Sequence, residues 1–254
     1  MKKISSEVDV MHYGSSQELE GRNGLLSALI NSPIPQDQLL DNIALYIDSK
    51  KLSRILFMDF IYKQILDVQG VVMEFGTRWG PNATLFSALR GIYEPFNRHR
   101  KIIAFDTFTG FPSVAKEDGE SELMIPGQLF TADNYNEYLD KLLSLHETLN
   151  PLSHIKKYEV CKGDAIFELE KYLDLHPQTI ISLAYFDFDI YEPTKRCLEM
   201  ILPRLTKGSV VGFDELNDPD SPGETLALME IVGLNNIRLK RFKFASRVSY
   251  YVVE

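Results

Sequence analysis

Cysteine is scarce in this chain of 254 residues. Cys161 and Cys197 are its only two, and neither sits in a C-x-x-C or Cys/His spacing, which excludes a zinc ribbon and a disulfide framework. The five histidines, His12, His99, His146, His154 and His176, are scattered without ligand spacing. Positive charge is short as well: 27 Lys and Arg face 36 Asp and Glu, a formal net charge of −9. A protein that tracks nucleic-acid phosphates needs the opposite field. No stretch approaches the ~18 consecutive apolar residues that span a bilayer. The opening Met-Lys-Lys-Ile-Ser-Ser-Glu lacks the apolar centre of a signal peptide. A cytoplasmic protein is expected, with reduced, structural thiols and neither nucleic acid nor membrane as partner. Two glycine motifs are missing too. No G-x-x-x-x-G-K-[ST] occurs, which excludes a P-loop, and Arg78 stands where the dinucleotide fingerprint G-x-G-x-x-G has its second glycine, which weighs against NAD or FAD.

What is present is an alternation of strand and helix. Three helices are expected first, over 17–30, 36–47 and 52–66, interrupted by Pro33 and Pro35. Strands follow at 71–75, 101–105, 158–160, 179–186 and 209–213. Helices over 82–92, 165–173, 193–205 and 223–232 complete the pattern. This order predicts an α/β fold, a doubly wound Rossmann-like parallel sheet with helices on both faces. The tail, 237–244 and 248–253, reads as a strand pair with no helix between, hence antiparallel. A single domain over 1–254 is expected, with a helical extension over 1–69 and a core over 70–254. Residues 113–155 interrupt the core: a polar stretch over 113–133 suited to a lid, then a helix over 134–146 with Tyr135, Tyr138, Leu139, Leu142 and Leu145 on one stripe.

The chemistry sits at the expected strand ends. Asp187 and Asp189 close the fourth strand in Tyr185-Phe-Asp-Phe-Asp189, and Asp214 and Glu215 close the fifth. In a parallel sheet these tips converge, and that much negative charge calls for a divalent cation. The plainer reading is helix capping and solvation. Glu74-Phe-Gly-Thr-Arg-Trp-Gly80 lies where the first strand turns into the first core helix; Gly76 suits a sharp turn, and Gly80 lets a ligand approach the helix start. Asp106, ending the second strand, suits the two ribose hydroxyls of an adenosine. Gly163 and Asp164 follow the third strand; Asp164 suits an adenine amino group or, equally simply, a helix N-cap. Trp79 packs on a ligand or fills the turn, and Tyr191 is a candidate for an acceptor pocket. His12 and Tyr13 are candidates for folding over a substrate. The basic tail residues Arg238, Lys240, Arg241, Lys243 and Arg247 read as a solvated edge.

The segments Glu74-x-Gly-x-x-x-Gly80, Phe105-Asp-x-Phe-x-Gly-Phe-Pro112 and Asp187-x-Asp-x-Tyr-Glu-x-Thr194 together resemble the metal-dependent sugar O-methyltransferases of the macrocin type. The resemblance covers roughly 70–254. It implies a class I S-adenosylmethionine fold, a seven-stranded sheet with its last strand antiparallel, and a homodimer or higher homo-oligomer. It places Glu74, Phe75, Gly76, Thr77, Gly80, Asp106, Gly163, Asp164 and Asp187 around S-adenosylmethionine. It puts Asp187, Asp214 and Glu215 on Mg²⁺ (Ca²⁺ or Mn²⁺ as alternatives), and Asp189 in the role of general base. Phe188 and Glu215 depart from the family, which has Gly and Asp there. Catechol-type relatives carry a lysine base where this chain has Ile190. The implied acceptor is a sugar or nucleotide-sugar hydroxyl. Alternatives are a small catechol-like acceptor or a non-catalytic adenosyl-ligand-binding protein.

Overall fold

The computed structural model describes residues 14–254, so His12 and Tyr13 lie outside the described residues. The chain divides into two compact units, 1–56 and 57–254, with the division inside one helix. In the first unit, helix α1 (Ser16–Ile30) starts at a capping box: the Ser15 hydroxyl accepts from the Glu18 N–H, and the Glu18 carboxylate accepts from the Ser15 N–H at 2.8 Å. The helix expected over 36–47 forms only as two short 3₁₀ turns, Gln36–Gln38 and Ile43–Tyr46. Pro33 and Pro35 bar extension upstream, and the Asn42 side chain donates to the Gln38 carbonyl at 2.9 Å in place of regular backbone pairing. Helix α2 (Ser49–Lys63) carries the chain into the second unit.

The second unit is built on a seven-stranded sheet in the order β3-β2-β1-β4-β5-β7-β6. Its strands are β1 (Val71–Phe75), β2 (Ile102–Asp106), β3 (Tyr158–Lys162), β4 (Ile181–Phe186), β5 (Leu205–Phe213), β6 (Lys240–Arg241) and β7 (Ser249–Val252). The first five run parallel, and β7 is antiparallel to both β5 and β6. Between them lie α3 (Pro81–Tyr93), α4 (Tyr135–Thr148), α5 (Ala165–Leu175), α6 (Tyr191–Ile201) and α7 (Gly223–Ile231). The central strands β1, β2 and β4 and the second half of β5 are mostly apolar because both faces are covered. Val72, Ile102, Leu183 and Val210 face Phe57, Ile61 and Phe86 on one side. Met73, Ile103, Ala184 and Val211 face Leu169, Leu198 and Leu228 on the other, and Cys161 and Cys197 belong to this second cluster. The thiols are structural, as expected.

Two elements differ from expectation. Only Lys240–Arg241 of the 237–244 stretch pairs as strand. Helix α4 turns inward on Leu139, Leu143 and Glu147 rather than on Tyr138 and Leu145, which are 54% and 53% exposed. A carboxylate at a core-facing position hides that stripe from hydrophobic periodicity. Glu147 is buried because Lys157 meets it at 2.7 Å and the Arg90 guanidinium pairs with it as well.

Strand register aligns the ends of the central strands. Phe105, Phe75, Phe186 and Phe213 are direct partners across β2, β1, β4 and β5. Their rings stack in a row, with centroids 5.1, 4.7 and 5.3 Å apart. Each ring precedes a tip residue: Asp106, Gly76, Asp187 and Asp214. The ladder continues one step past the rings, from the Gly76 N–H to the Phe105 carbonyl (3.0 Å), Asp187 to Phe75 (2.8 Å) and Asp214 to Phe186 (3.0 Å). These residues therefore stand at one level of the sheet edge.

Candidate active site

The β1 tip is a tight cradle. Glu74 is fully buried and accepts from the Thr77 hydroxyl at 3.1 Å. Gly76 has φ 87°, and a Cβ there would run into the Asp187 backbone, so glycine lets the β1 and β4 loops meet. Gly80 has φ 78° and caps α3, but its open side is filled by Leu139 of α4. The α3 start is thus packed by protein at that point. The Trp79 ring, 40% exposed, stands edge-on to Tyr135 at 4.8 Å, and the Tyr135 hydroxyl donates to the Trp79 carbonyl at 3.0 Å.

Asp106 organises both adjoining loops. One carboxylate oxygen accepts from the Arg78 N–H at 2.7 Å and the other from the Phe108 N–H at 2.6 Å. Arg78 and Phe108 have φ of 47° and 60°, left-handed turns that these bonds help to hold. Burial pushes the Asp106 pKa up, and the two N–H donors oppose it. Each oxygen keeps a lone pair for a further donor. Beside Asp106 opens a cavity of about 580 Å³, lined by Phe108, Thr109, Thr131, Asn134, Asn136 and Lys162. Just past β3, Gly163 has φ 147°. Asp164 is the N-cap of α5, its carboxylate accepting from the Ile166 N–H at 3.0 Å.

The acidic tips of β4 and β5 are adjacent. Asp189 has φ 63° and is 8% exposed. Asp214 accepts from the Tyr185 hydroxyl at 2.9 Å. Glu215 is 2% exposed; one of its oxygens pairs with Arg247, whose guanidinium also reaches Asp218 at 3.2 Å, and its Oε1 is buried without a hydrogen-bond partner. Arg247 is therefore drawn to the acidic tip rather than left on a solvated edge. Among the described residues, no group of three or more His, Cys, Asp or Glu side chains is gathered to hold a metal ion. Tyr191 turns its hydroxyl to Glu230, with Lys195 at 2.7 Å from the same carboxylate, and so lies outside the acidic tip.

Two carboxylates at this site escaped sequence reasoning. Glu224, at the start of α7, is fully buried; its Oε1 accepts from the Phe188 N–H at 2.9 Å. Burial first, then the charges of Asp189 and Asp214, push its pKa up to about 8. Asp118 is 1% exposed although it lies in the polar run Glu117–Glu122. Glu117, Glu120 and Glu122 of that run are exposed, while on either side of it Phe111 and Met124 pack with Ile190 in a small cluster that Phe188 also borders.

Strand order, the antiparallel β7 and the loops around Asp106 define a class I S-adenosylmethionine-dependent methyltransferase. Solved structures narrow this further. The chain is 42% identical to CalS11, calicheamicin methyltransferase, over 95% of this chain and 94% of that one, with a TM-score of 0.93. It is 39% identical to the apo form of CalS11, described as a TDP-rhamnose 3′-O-methyltransferase, over 95% and 96% of the two chains, with a TM-score of 0.85. NovP, an O-methyltransferase, shares the fold at 16% identity, 80% coverage of each chain and a TM-score of 0.60. No family model matches the chain, and no curated protein does. The chain belongs to the CalS11 family and is an S-adenosylmethionine-dependent O-methyltransferase.

Proposed function

We propose that this enzyme methylates a sugar hydroxyl, carried on a nucleotide-linked deoxysugar or a glycosylated metabolite. The observation that carries the reading is the in-register edge of Gly76, Asp106, Asp187 and Asp214, with Asp189 two residues on. CalS11, which shares this fold over nearly its whole length, acts on TDP-rhamnose. In this reading Glu74, Phe75, Gly76, Thr77 and Gly80 shape the loop around the methionine portion of the donor. Asp106 receives the ribose, Gly163 and Asp164 border the adenine, and Asp187 closes the pocket towards the acceptor. Residues 1–254 act as one methyltransferase domain, with 1–69 as an extension.

Methyl transfer to oxygen is an in-line displacement at the sulfonium carbon, and a sugar hydroxyl must lose its proton as it attacks. Asp189 takes that proton. Its backbone is left-handed, and the neighbouring Phe188 ring stands 5.7 Å from Phe75.

The donors at the tip are carboxylate oxygens, which suit a hard cation such as Mg²⁺, with Ca²⁺ or Mn²⁺ as substitutes, and the unpartnered Oε1 of Glu215 fits that use. Asp187, Asp214 and Glu215, whose carboxylates are not gathered in this structure, would have to turn towards one another to hold it. When bound, such an ion lowers the pKa of a nearby hydroxyl. Calorimetric titration of Mg²⁺ into chelator-treated protein is expected to show binding that Asp214→Ala abolishes; full turnover after chelation would discard the metal. Helix α1 buries none of its residues and exposes Leu26 and Ile30, in line with a homodimer or higher homo-oligomer. Incubation of labelled S-adenosylmethionine with TDP-deoxysugars, free sugars and catechols tests the acceptor. Label on a sugar hydroxyl is expected; label on catechol alone would replace this reading.

A further inference from the structure

The turn that carries Asp189 is gripped from both sides by carboxylates from distant parts of the chain. Upstream, the Phe188 N–H donates to Glu224 Oε1 at 2.9 Å. Downstream, the Tyr191 N–H donates to Asp118 Oδ1 at 2.5 Å. Tyr191 is the first residue of α6, and its N-cap residue, Ile190, has no side chain able to cap. Asp118 supplies the cap from outside, a role ordinarily filled by the N-cap residue itself. Its other oxygen accepts from the Ala115 N–H at 2.6 Å, which fixes the carboxylate to its own loop. Gly223, next to Glu224, lets the start of α7 close on this turn: a Cβ there would lie 2.6 Å from the Tyr191 nitrogen. Ile190 is 2% exposed and packed with Phe111 and Met124, so the stretch between the two grips is pinned by packing as well.

Asp189 needs such a hold. A non-glycine residue at φ 63° sits in a sparsely populated region, which costs on the order of 1–3 kcal/mol and persists only where the surroundings impose it. The two donations fall one residue before Asp189 and two after it, and so brace the turn on either side of it. Neither Asp118 nor Glu224 belongs to the strand–helix unit that presents the base.

We infer that Asp118 and Glu224 are positioning residues for methyl transfer, holding the 188–191 turn so that Asp189 points at the acceptor, and that the 113–131 loop is coupled to the acidic tip through Asp118. The inference rests on the role given to Asp189 above. The geometry, not the charge, is what each carboxylate contributes.

The test is a matched series at Glu224 and Asp118 in the full chain. Glu224→Gln keeps the acceptor oxygen in place, and Asp118→Asn keeps one of the two that Asp118 uses; Glu224→Asp and Asp118→Glu keep the carboxyl group but move it by one methylene; the alanine variants remove it. S-adenosylhomocysteine affinity and acceptor KM should stay unchanged throughout. The kcat of the alanine and moved-acceptor variants should fall by about 10²-fold, the scale of a small misplacement near the reacting groups. Glu224→Gln should recover most of that loss, and Asp118→Asn, which can accept from only one of the two N–H groups, only part of it. If an alanine variant does not fold, the comparison of Glu224→Asp with Glu224→Gln decides alone. Wild-type kcat in Glu224→Asp, or loss of activity in Glu224→Gln, would overturn the inference. Asp189→Asn is the control: if it turns over normally, the base assignment itself is wrong. If it fails while every Glu224 and Asp118 variant is fully active, only the positioning role is lost.

Discussion

Asp106 ties two loops together: its carboxylate satisfies the N–H groups of Arg78 and Phe108, on either side of the proposed donor pocket. Asp106→Ala is expected to weaken S-adenosylhomocysteine binding by about 10- to 100-fold, given roughly 1.5–3 kcal/mol per hydrogen bond to a charged group. Unchanged affinity in a binding titration would remove Asp106 from the site. Glu224 gives a pH signature. Its pKa in the fold is about 8, above the ordinary 4.5, so the folded protein holds a proton that the unfolded chain releases. That contribution to stability is complete below the lower value and is lost as pH rises through the upper one. Metal-free protein should therefore lose melting temperature across this interval, and Glu224→Gln should flatten the decline; an identical slope in both would contradict the assignment. Asp106 and Asp187 were readable because an acid ending an apolar run is conspicuous. Glu224 was not, since an acidic residue in the first turn of a helix ordinarily marks nothing more than a favourable dipole contact.

The row of phenylalanines at the ends of β2, β1, β4 and β5 sets the level of the acidic edge. Phe186 stacks on both Phe75 and Phe213. Phe186→Ala should cost about 3–5 kcal/mol, the range for deleting a buried aromatic ring. A chemical denaturation midpoint shifted by far less would show that the row is not what sets the register. Glu147 holds α4 against the sheet by neutralising Arg90 and Lys157. Replacing it with alanine leaves two buried cations together and should cost about 3–5 kcal/mol, again measured by denaturation. The five parallel strands were legible because continuous apolar runs between turn residues have few other uses. The inward face of α4 was not, because Glu147 occupies a core position that periodicity assigns to a hydrophobe. Within the polar 113–131 loop, the neighbouring charges gave no sign of the buried Asp118 or of the Phe111–Met124 contact with Ile190.

Taken together, the sheet order and register bring Gly76, Asp106, Asp187 and Asp214 to one level at the carboxyl ends of the strands, where open α/β sheets receive their ligands. Strand–helix alternation already announced that sheet edge in the sequence. The partner of Glu215 did not show there: Arg247 sits 32 positions further on, in a tail whose bases read as a solvated edge. No helix among the described residues is long and apolar enough to cross a membrane. The reading stands or falls on Asp189 as the group that takes the proton from the acceptor. Single-turnover transfer of labelled methyl from S-adenosylmethionine to a TDP-deoxysugar, compared between wild type and Asp189→Asn with S-adenosylhomocysteine affinity measured alongside, tests it directly. A loss of about 10²-fold or more in the transfer rate at unchanged affinity is expected, on the scale of removing a general base. Equal rates in the two proteins would contradict it.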